Sequence, residues 1–250
     1  IEDLVGVEPV DLDQALVGIE ALIEQTMEGA DIPGFAIGIV KDGGIAYTTG
    51  FGVVEAGTDK PVTSNSLFQA CSASKTVVAT AILKLVDQGL IELDAPVIDY
   101  VPYFSMEDER YKEITVRHLL AHRAGLPDTG GDAHILFQTQ EPRYDDDALE
   151  EYVLSMSEAE LLFAPGQDYS YSSPGIDLLG AVIAEVTGQS FEEYMTEQIF
   201  QPLGMADSTF LLPSADPTLL TAPHMYDEEG NAVVLDFYPY DRRHAASGGL

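Results

Sequence analysis

The sequence predicts a mixed α/β fold in which a helical region is inserted between two parts of an α/β core. Two observations lead to this prediction. Apolar residues recur at helical spacing in several long segments, and two short apolar runs flank a Gly-rich turn near the N-terminus. The chain has 250 residues, of which 46% are hydrophobic, so it is long enough for one large domain or two small ones with a substantial core.

The first third of the chain contains two predicted helices separated by a hairpin. Apolar residues follow a helical period over residues 11–27. The runs at 35–40 and 45–51 flank an Asp-Gly-Gly turn, which is typical of a β-hairpin. A second amphipathic helix follows Ser72, and Gly89 is expected to end it as a C-cap.

Prolines, charged loops and short helical patches dominate residues from about 94 to 164. The patches at 116–121 and 148–156 are the clearest helical segments there. We therefore predict a mostly helical region that separates the N-terminal part of the core from the part after residue 164.

The last third returns to long helices and short strands. Ser173-Pro174 resembles an N-cap followed by the first residue of a buried helix, which Gly188 ends. A capping box at 190–193 begins another helix, which Pro202 is expected to stop. A turn at 229–231 separates two candidate strands.

Charge excludes two classes of partner. The chain has 43 acidic residues against 11 Lys plus Arg, a formal net charge of −32. Such a surface repels nucleic acid and anionic membranes, so neither is expected as a partner. A folded, strongly acidic protein with few lysines suggests life at high salt, where counterions screen the repulsion. An ordinary acidic protein is the alternative that composition leaves open.

Targeting signals and cysteines leave the compartment open. No apolar run reaches the length that crosses a bilayer as a helix, and no signal peptide is visible. Cys71 is the single cysteine, so no intramolecular disulfide can form.

Ser72-Ala73-Ser74-Lys75, at the start of the second helix, is the first candidate for chemistry. Residues three apart on a helix share a face, so the Lys75 amine can reach the Ser72 hydroxyl. A serine hydroxyl becomes a strong nucleophile only when a base takes its proton, and a buried lysine can be that base. Ser-x-x-Lys also occurs by chance, as a solvated cap and a surface lysine.

Tyr171 is the second candidate, because it directly precedes a buried helix in the run Tyr-Ser-Tyr-Ser-Ser-Pro. A neighbouring ammonium favours a phenolate, which could act as a general base and then as a proton donor. Taken alone, a tyrosine packed in a loop is the simpler interpretation.

Three rival sites carry weaker signals. His118 and His122 have the spacing of a zinc-protease helix, but position 119 is Leu, so we interpret both as structural, with His122 able to support the site from behind. Cys71 is interpreted as a buried, inert thiol. No Gly-x-Ser-x-Gly elbow is present, which argues against an α/β-hydrolase. No metal or cofactor is expected.

The combination of Ser72, Lys75 and Tyr171 resembles the serine β-lactamase and penicillin-binding-protein superfamily, and most closely its class C β-lactamase and esterase branch. The similarity extends from about residue 32 to residue 250. The connecting stretches that resemble this branch are 67–70, 88–97, 114–126, 163–166, 178–180, 202–205 and 247–250.

The resemblance implies a fold, a reaction and roles for the site residues. The fold would be of the β-lactamase/transpeptidase type, an antiparallel sheet flanked by helices plus a mostly helical region. Ser72 would be acylated, Lys75 would assist proton transfer, Tyr171 would be the second acid/base, and the Ser72 N–H would supply half of the oxyanion hole. Substrates would be small molecules or peptides. The resemblance favours an extracellular or cell-surface location, and the cytoplasm is the alternative that stays open.

Two departures from the family pattern qualify this expectation. The family's Tyr-x-Asn ends here in Ser173, which we assign to substrate binding and which favours an esterase or peptidase over a dedicated β-lactamase. No stretch of Lys or His, a small residue and Gly follows Tyr171. We therefore expect the C-terminal strands to be missing from this chain, and a longer natural chain or a separate segment to complete the sheet.

We predict one hydrolase domain over 1–250, divided into 1–93 with the nucleophile helix, the helical region 94–164, and 165–250 returning to the core. The predicted function is a serine hydrolase that acts through an acyl-enzyme on an ester, a β-lactam or a D-amino-acid amide. The alternative is a non-catalytic penicillin-binding or sensing relative, or an inactive fragment of such an enzyme.

Overall fold

Helices supply most of the regular structure in the computed structural model, which describes residues 12–128, 142–236 and 238–250. The chain divides into two compact units. The first comprises residues 1–68 and 216–238, and the second comprises 69–215 and 239–250. The predicted division of a single domain at residues 93 and 164 stays a prediction.

The first unit contains the predicted N-terminal helix and hairpin. Helix α1 spans Leu12–Gly29, and strands β1 (Gly34–Lys41) and β2 (Gly44–Gly52) pair antiparallel, with an irregularity between Ile39 and Val40. Asp42 and Gly43 both have positive φ, 51° and 77°. Such a pair forms the two-residue turn whose twist suits a hairpin.

A second, shorter hairpin belongs to the same unit. Strands β3 (His224–Tyr226) and β4 (Ala232–Val234) pair antiparallel, as the predicted turn at 229–231 required. The Asp227 carboxylate accepts hydrogen bonds from the main-chain N–H groups of Glu229 and Asn231, which fixes the turn.

The core of the second unit is built around one helix, α5 (Ser173–Thr187), in which residues 174–183 are all buried. It packs against α2 (Ser74–Asp87), α3 (Val116–Leu120), α4 (Ala148–Ser155) and α6 (Phe191–Met195). Each Leu, Ile or Val side chain that this helix buries contributes about 1.5–3 kcal/mol. Because α5 is buried along most of its length and packs against α2, it fixes the position of the segment that directly precedes it.

Helical structure continues beyond α6 and returns near the end of the described chain. A π-helical turn (Thr196–Phe200) leads into α7 (Gln201–Leu203), and α8 spans Ala245–Gly248. Single 3₁₀ turns lie at Cys71–Ala73, Val97–Asp99, Glu109–Glu113, Met156–Glu158, Leu212–Ser214 and Arg242–His244. In the parts of the chain that the structure describes, no helix is long and apolar enough to cross a membrane.

Three local predictions were wrong. Pro202 does not stop its helix, because a proline is tolerated in a first helical turn, and the helix ends instead at Gly204, with φ 70°. The N-cap of α5 is Ser172, not Ser173, since the Ser172 Oγ accepts the Gly175 N–H at 3.2 Å. His122 lies outside α3 with φ 54°, so it does not share a helix face with His118.

Candidate active site

Ser72 lies in the 3₁₀ turn Cys71–Ala73, directly before α2. Lys75 follows in the first turn of α2, and its Nζ donates a hydrogen bond to Ser72 Oγ at 3.1 Å. The three-residue spacing therefore places the two side chains together, as predicted. The N-terminus of α2 adds the partial positive charge of unpaired main-chain N–H groups on the same side.

Tyr171 reaches the same hydroxyl from the segment that precedes α5. Its OH lies 2.8 Å from Ser72 Oγ, and Lys75 Nζ lies 5.0 Å from the centroid of its ring. The predicted convergence of these three side chains is thus present in the structure. Their catalytic roles stay a prediction.

The protonation of Tyr171 depends on two opposing influences. Partial desolvation acts to raise the pKa of the phenol, but hydrogen bonds with Lys75 and Ser72 and the Lys75 charge together outweigh it. The net result is a pKa below the usual tyrosine value. A phenol of this kind gives up its proton more readily than a free tyrosine, which a general base requires.

Ser72, Lys75 and Tyr171, here called the triad, differ in exposure in the way that nucleophilic chemistry needs. Ser72 is exposed and Tyr171 retains 37% of its accessible surface, whereas Lys75 is 9% exposed. The hydroxyl is therefore open to an incoming substrate, while the ammonium beside it is largely removed from water, where its charge acts more strongly on its neighbours.

The segment 247–250 completes the surroundings of Lys75. Lys75 Nζ donates to the Ser247 carbonyl oxygen at 2.7 Å. The Leu250 carbonyl oxygen accepts a hydrogen bond from the Ala70 N–H at 2.6 Å, and the Leu250 N–H donates one to Ser74 Oγ at 3.1 Å. The residue types of this stretch did not predict a role for Ser247, since a main-chain carbonyl has no side-chain signature; only the family resemblance included residues 247–250.

The His122 ring packs against the Tyr171 ring. The two rings lie 4.7 Å apart and 33° from parallel, and His122 Nδ1 accepts the Ser172 N–H at 3.2 Å. Desolvation, followed by the Lys75 charge, lowers the pKa of His122. A neutral imidazole can accept at Nδ1, so the ring holds Tyr171 without adding a second positive charge to the site.

Ser173 stands apart from the triad contacts. Its main-chain N–H donates to Asp128 Oδ1 at 3.0 Å, and none of the hydrogen bonds among the described residues joins its side chain to Ser72 or Lys75. Substrate binding by Ser173 stays a prediction.

Cys71 was predicted to be a buried thiol, but it is exposed. Partial desolvation nevertheless raises its thiol pKa, against the opposing effect of the Lys75 charge, so the thiol does not gain thiolate character.

The backbone of Cys71 has a φ of 47° and that of His122 a φ of 54°, left-handed values that cost non-glycine residues energy. Backbone strain therefore occurs on both sides of the triad.

Comparison with known proteins identifies the family to which this geometry belongs. The Beta-lactamase family model matches residues 19–250. The chain belongs to this family. It is therefore a member of the serine β-lactamase and penicillin-binding-protein superfamily and has the β-lactamase/transpeptidase fold, as the resemblance implied.

Three relatives illustrate the family. The chain is 31% identical over 219 residues to esterase EstB of Burkholderia gladioli, covering 82% of this chain and 54% of EstB. An octameric penicillin-binding protein homologue from Pyrococcus abyssi superposes with a TM-score of 0.79 at 31% identity, covering 94% of this chain and 52% of that one. D-amino acid amidase from Ochrobactrum anthropi SV3 superposes with a TM-score of 0.76 at 25% identity, covering 96% of this chain and 66% of that one.

The chain spans about half, or less, of the length of the curated relatives it matches. These relatives include an esterase and a penicillin-binding protein, and the similar structures include a D-amino acid amidase.

Proposed function

We propose that this protein is a serine hydrolase that forms an acyl-enzyme on Ser72. The observation that carries the proposal is the position of Ser72 Oγ, which lies 3.1 Å from Lys75 Nζ and 2.8 Å from Tyr171 OH. A hydroxyl between an ammonium and a phenol of lowered pKa has both a proton acceptor and a charge that stabilises that acceptor.

Acylation begins when the Tyr171 phenolate takes the Ser72 proton. Ser72 Oγ then forms a bond to the substrate carbonyl carbon, and the carbonyl oxygen becomes an oxyanion that the Ser72 N–H stabilises, as the family resemblance implies. The carbon–leaving-group bond breaks as Tyr171 returns the proton to the departing alcohol or amine. The acyl group remains on Ser72.

Deacylation repeats the same proton transfers with water. Tyr171 accepts a proton from the water as its oxygen attacks the acyl carbon, and Ser72 leaves with that proton. The balance is one ester or amide plus one water giving one acid plus one alcohol or amine. Lys75 lies beside the Ser72 hydroxyl and the Tyr171 ring, and its charge stabilises the phenolate at each stage at which Tyr171 has given up its proton.

Esters and D-amino-acid amides are the substrates we favour over β-lactams. Ser173 replaces the Asn that commonly ends the Tyr-x-Asn motif, and its hydroxyl cannot extend as far as an amide toward a substrate. The similarity to esterase EstB and to a D-amino acid amidase points the same way.

Mass spectrometry of the full-length protein tests the proposal. After exposure to a fluorophosphonate, we expect a covalent adduct on the peptide that contains Ser72, and turnover of p-nitrophenyl butyrate should stop in parallel. Benzylpenicillin separates the alternatives, because a stable penicilloyl adduct without ester turnover would indicate a binding or sensing protein. No adduct with either reagent would refute the nucleophile assignment.

A further inference from the structure

A buried carboxylate lies behind the triad. Asp177, in α5, has no exposed surface. Its Oδ1 accepts the Ser247 N–H at 2.8 Å, and its Oδ2 lies 3.1 Å from Ser247 Oγ and 3.2 Å from His244 Nδ1. Burial of a carboxylate is unfavourable unless hydrogen bonds compensate it. Here the compensating bonds come from the short segment 244–247, which they tie to α5.

A glycine on the same face of α5 brings that segment close. Gly180 lies three residues after Asp177, so the two share a helix face. A Cβ at position 180 would lie 2.9 Å from the Ala246 Cβ, closer than two carbon atoms pack. The lack of a side chain at Gly180 thus lets α8 approach α5 to the distance at which Asp177 can bind Ser247.

Ser247 connects this buried cluster to the triad through its own main chain. Its N–H points to Asp177, and its carbonyl oxygen accepts from Lys75 Nζ at 2.7 Å. That bond and the one to Ser72 Oγ at 3.1 Å orient the same ammonium. A shift of Ser247 would therefore move the acceptor that directs Lys75.

We propose that Asp177 is a positioning residue for Lys75: by fixing the main chain of Ser247, it holds the carbonyl that orients the lysine toward Ser72. This inference rests on the proposed hydrolase function. Asp177 contacts neither Ser72 nor Tyr171 in the hydrogen bonds among the described residues, so its effect passes through Ser247.

Several titratable groups face the two ends of this connection. Tyr171 lies beside Lys75, and the Lys75 charge also acts on the Cys71 thiol and the His122 imidazole. At the other end His244 faces Asp177, with the Tyr152 ring packed edge-on against it. A rate profile alone would mix these groups, so the test observes the Tyr171 phenol directly.

The test is Asp177→Ala in the full-length protein, with the Tyr171 titration followed by NMR of ¹³Cζ-labelled tyrosine and assigned through Tyr171→Phe. Alanine has no polar group, so the Ser247 N–H and the Ser247 hydroxyl both lose the carboxylate that fixes them. Lys75 is then held less firmly beside the phenol. We expect the pKa of Tyr171 to rise, and the ascending limb of kcat/KM for p-nitrophenyl butyrate to move to higher pH.

The expected loss of kcat/KM is about tenfold to a hundredfold, mostly in kcat, because misplacement of a catalytic group by about 1 Å has effects of that size. Gly180→Ala is a second variant that leaves Asp177 intact and pushes Ala246 away. It should raise the pKa of Tyr171 in the same direction, which keeps the proposal testable even where Asp177→Ala fails to fold.

Glu192→Gln is the matched control, since Glu192 is also buried and hydrogen-bonded, but to Arg242 rather than to Ser247. It should lower the melting temperature while leaving the Tyr171 titration as in the parent protein. An unchanged Tyr171 titration in folded Asp177→Ala or Gly180→Ala would overturn the positioning role. A shifted titration in a protein that no fluorophosphonate labels would uphold it and refute the hydrolase function instead.

Discussion

Two clusters of charged and polar side chains in the second unit differ in whether they leave a reactive atom accessible to a substrate. In the triad, Ser72 is exposed and its hydroxyl lies between Lys75 and Tyr171. In the second cluster, the buried Glu192 holds Arg242 through two hydrogen bonds of 2.6 and 3.1 Å, and Asp146 binds the same guanidinium at 2.5 Å.

The two clusters differ in whether their hydrogen-bonding groups are fully occupied, not in how much charge they carry. Each carboxylate oxygen of Glu192 accepts a hydrogen bond from Arg242, so neither oxygen is left without a partner, and the pair stabilises the fold. The exposed Ser72 hydroxyl can still form a bond to an incoming carbon. Closely placed ionisable groups therefore indicate a reactive site only where one reactive atom remains accessible.

The largest effect expected from this comparison is the loss of turnover in Ser72→Ala. Removing a serine nucleophile lowers kcat by about 10⁶-fold in a well-studied serine protease, and we expect a loss of at least about 10³-fold here. The melting temperature should hardly change, because an exposed hydroxyl is removed. Thr76→Ala, in the next turn, is the control and should keep its turnover. Undiminished ester hydrolysis by Ser72→Ala would remove the distinction between the clusters.

The opposite pattern is expected for Glu192→Met, which leaves the buried Arg242 guanidinium with the exposed Asp146 as its remaining carboxylate partner. Breaking a buried ion pair from one side costs about 3–5 kcal/mol in the free energy of unfolding, measured by urea denaturation. The rate per folded molecule should stay as in the parent protein. The double variant with Arg242→Met should recover much of the loss, since neither charge of this buried pair remains; a double variant as unstable as the single one would contradict this interpretation.

Tyr171→Phe should alter the dependence of rate on pH. General acid/base groups contribute about 10²–10⁴-fold, so kcat/KM should fall by a factor in that range. The pKa of Tyr171 lies below the usual tyrosine value. The parent protein should therefore gain activity as the pH rises toward this lowered pKa and the phenolate forms. The variant should lack this ascending limb in a kcat/KM profile. A limb that persists unchanged would assign the titration to another group.

The smallest expected effect concerns the surface as a whole. With a formal net charge of −32, repulsion between carboxylates should weaken as salt screens it, so the melting temperature should rise between low and molar sodium chloride. Glu192→Met should show the same rise as the parent, since its change is buried and screening acts mainly at the surface. A melting temperature that is indifferent to salt, or that falls, would contradict the high-salt interpretation.

Periodicity and turn chemistry predicted most of the local structure. The hairpin around Asp42-Gly43 and the capping box at Ser190 are present, and α2 ends with Gln88 as its C-cap, one residue before the predicted Gly89. These features depend on neighbouring residues only, which is why the order of side chains specifies them. The wrong cap at Ser173 and the expected stop at Pro202 are errors of one to two residues at helix ends, where several arrangements compete.

By itself, the sequence determined that Ser72 and Lys75 meet, because three residues in a helix define that distance. Tyr171 could be joined to them only through the family resemblance, since its approach depends on how α5 packs. Tertiary structure alone decided that Ser247 would turn its carbonyl toward Lys75 and its N–H toward Asp177. Main-chain groups carry no residue-specific signal, and the buried carboxylate finds its partners only once α5 and α8 pack together.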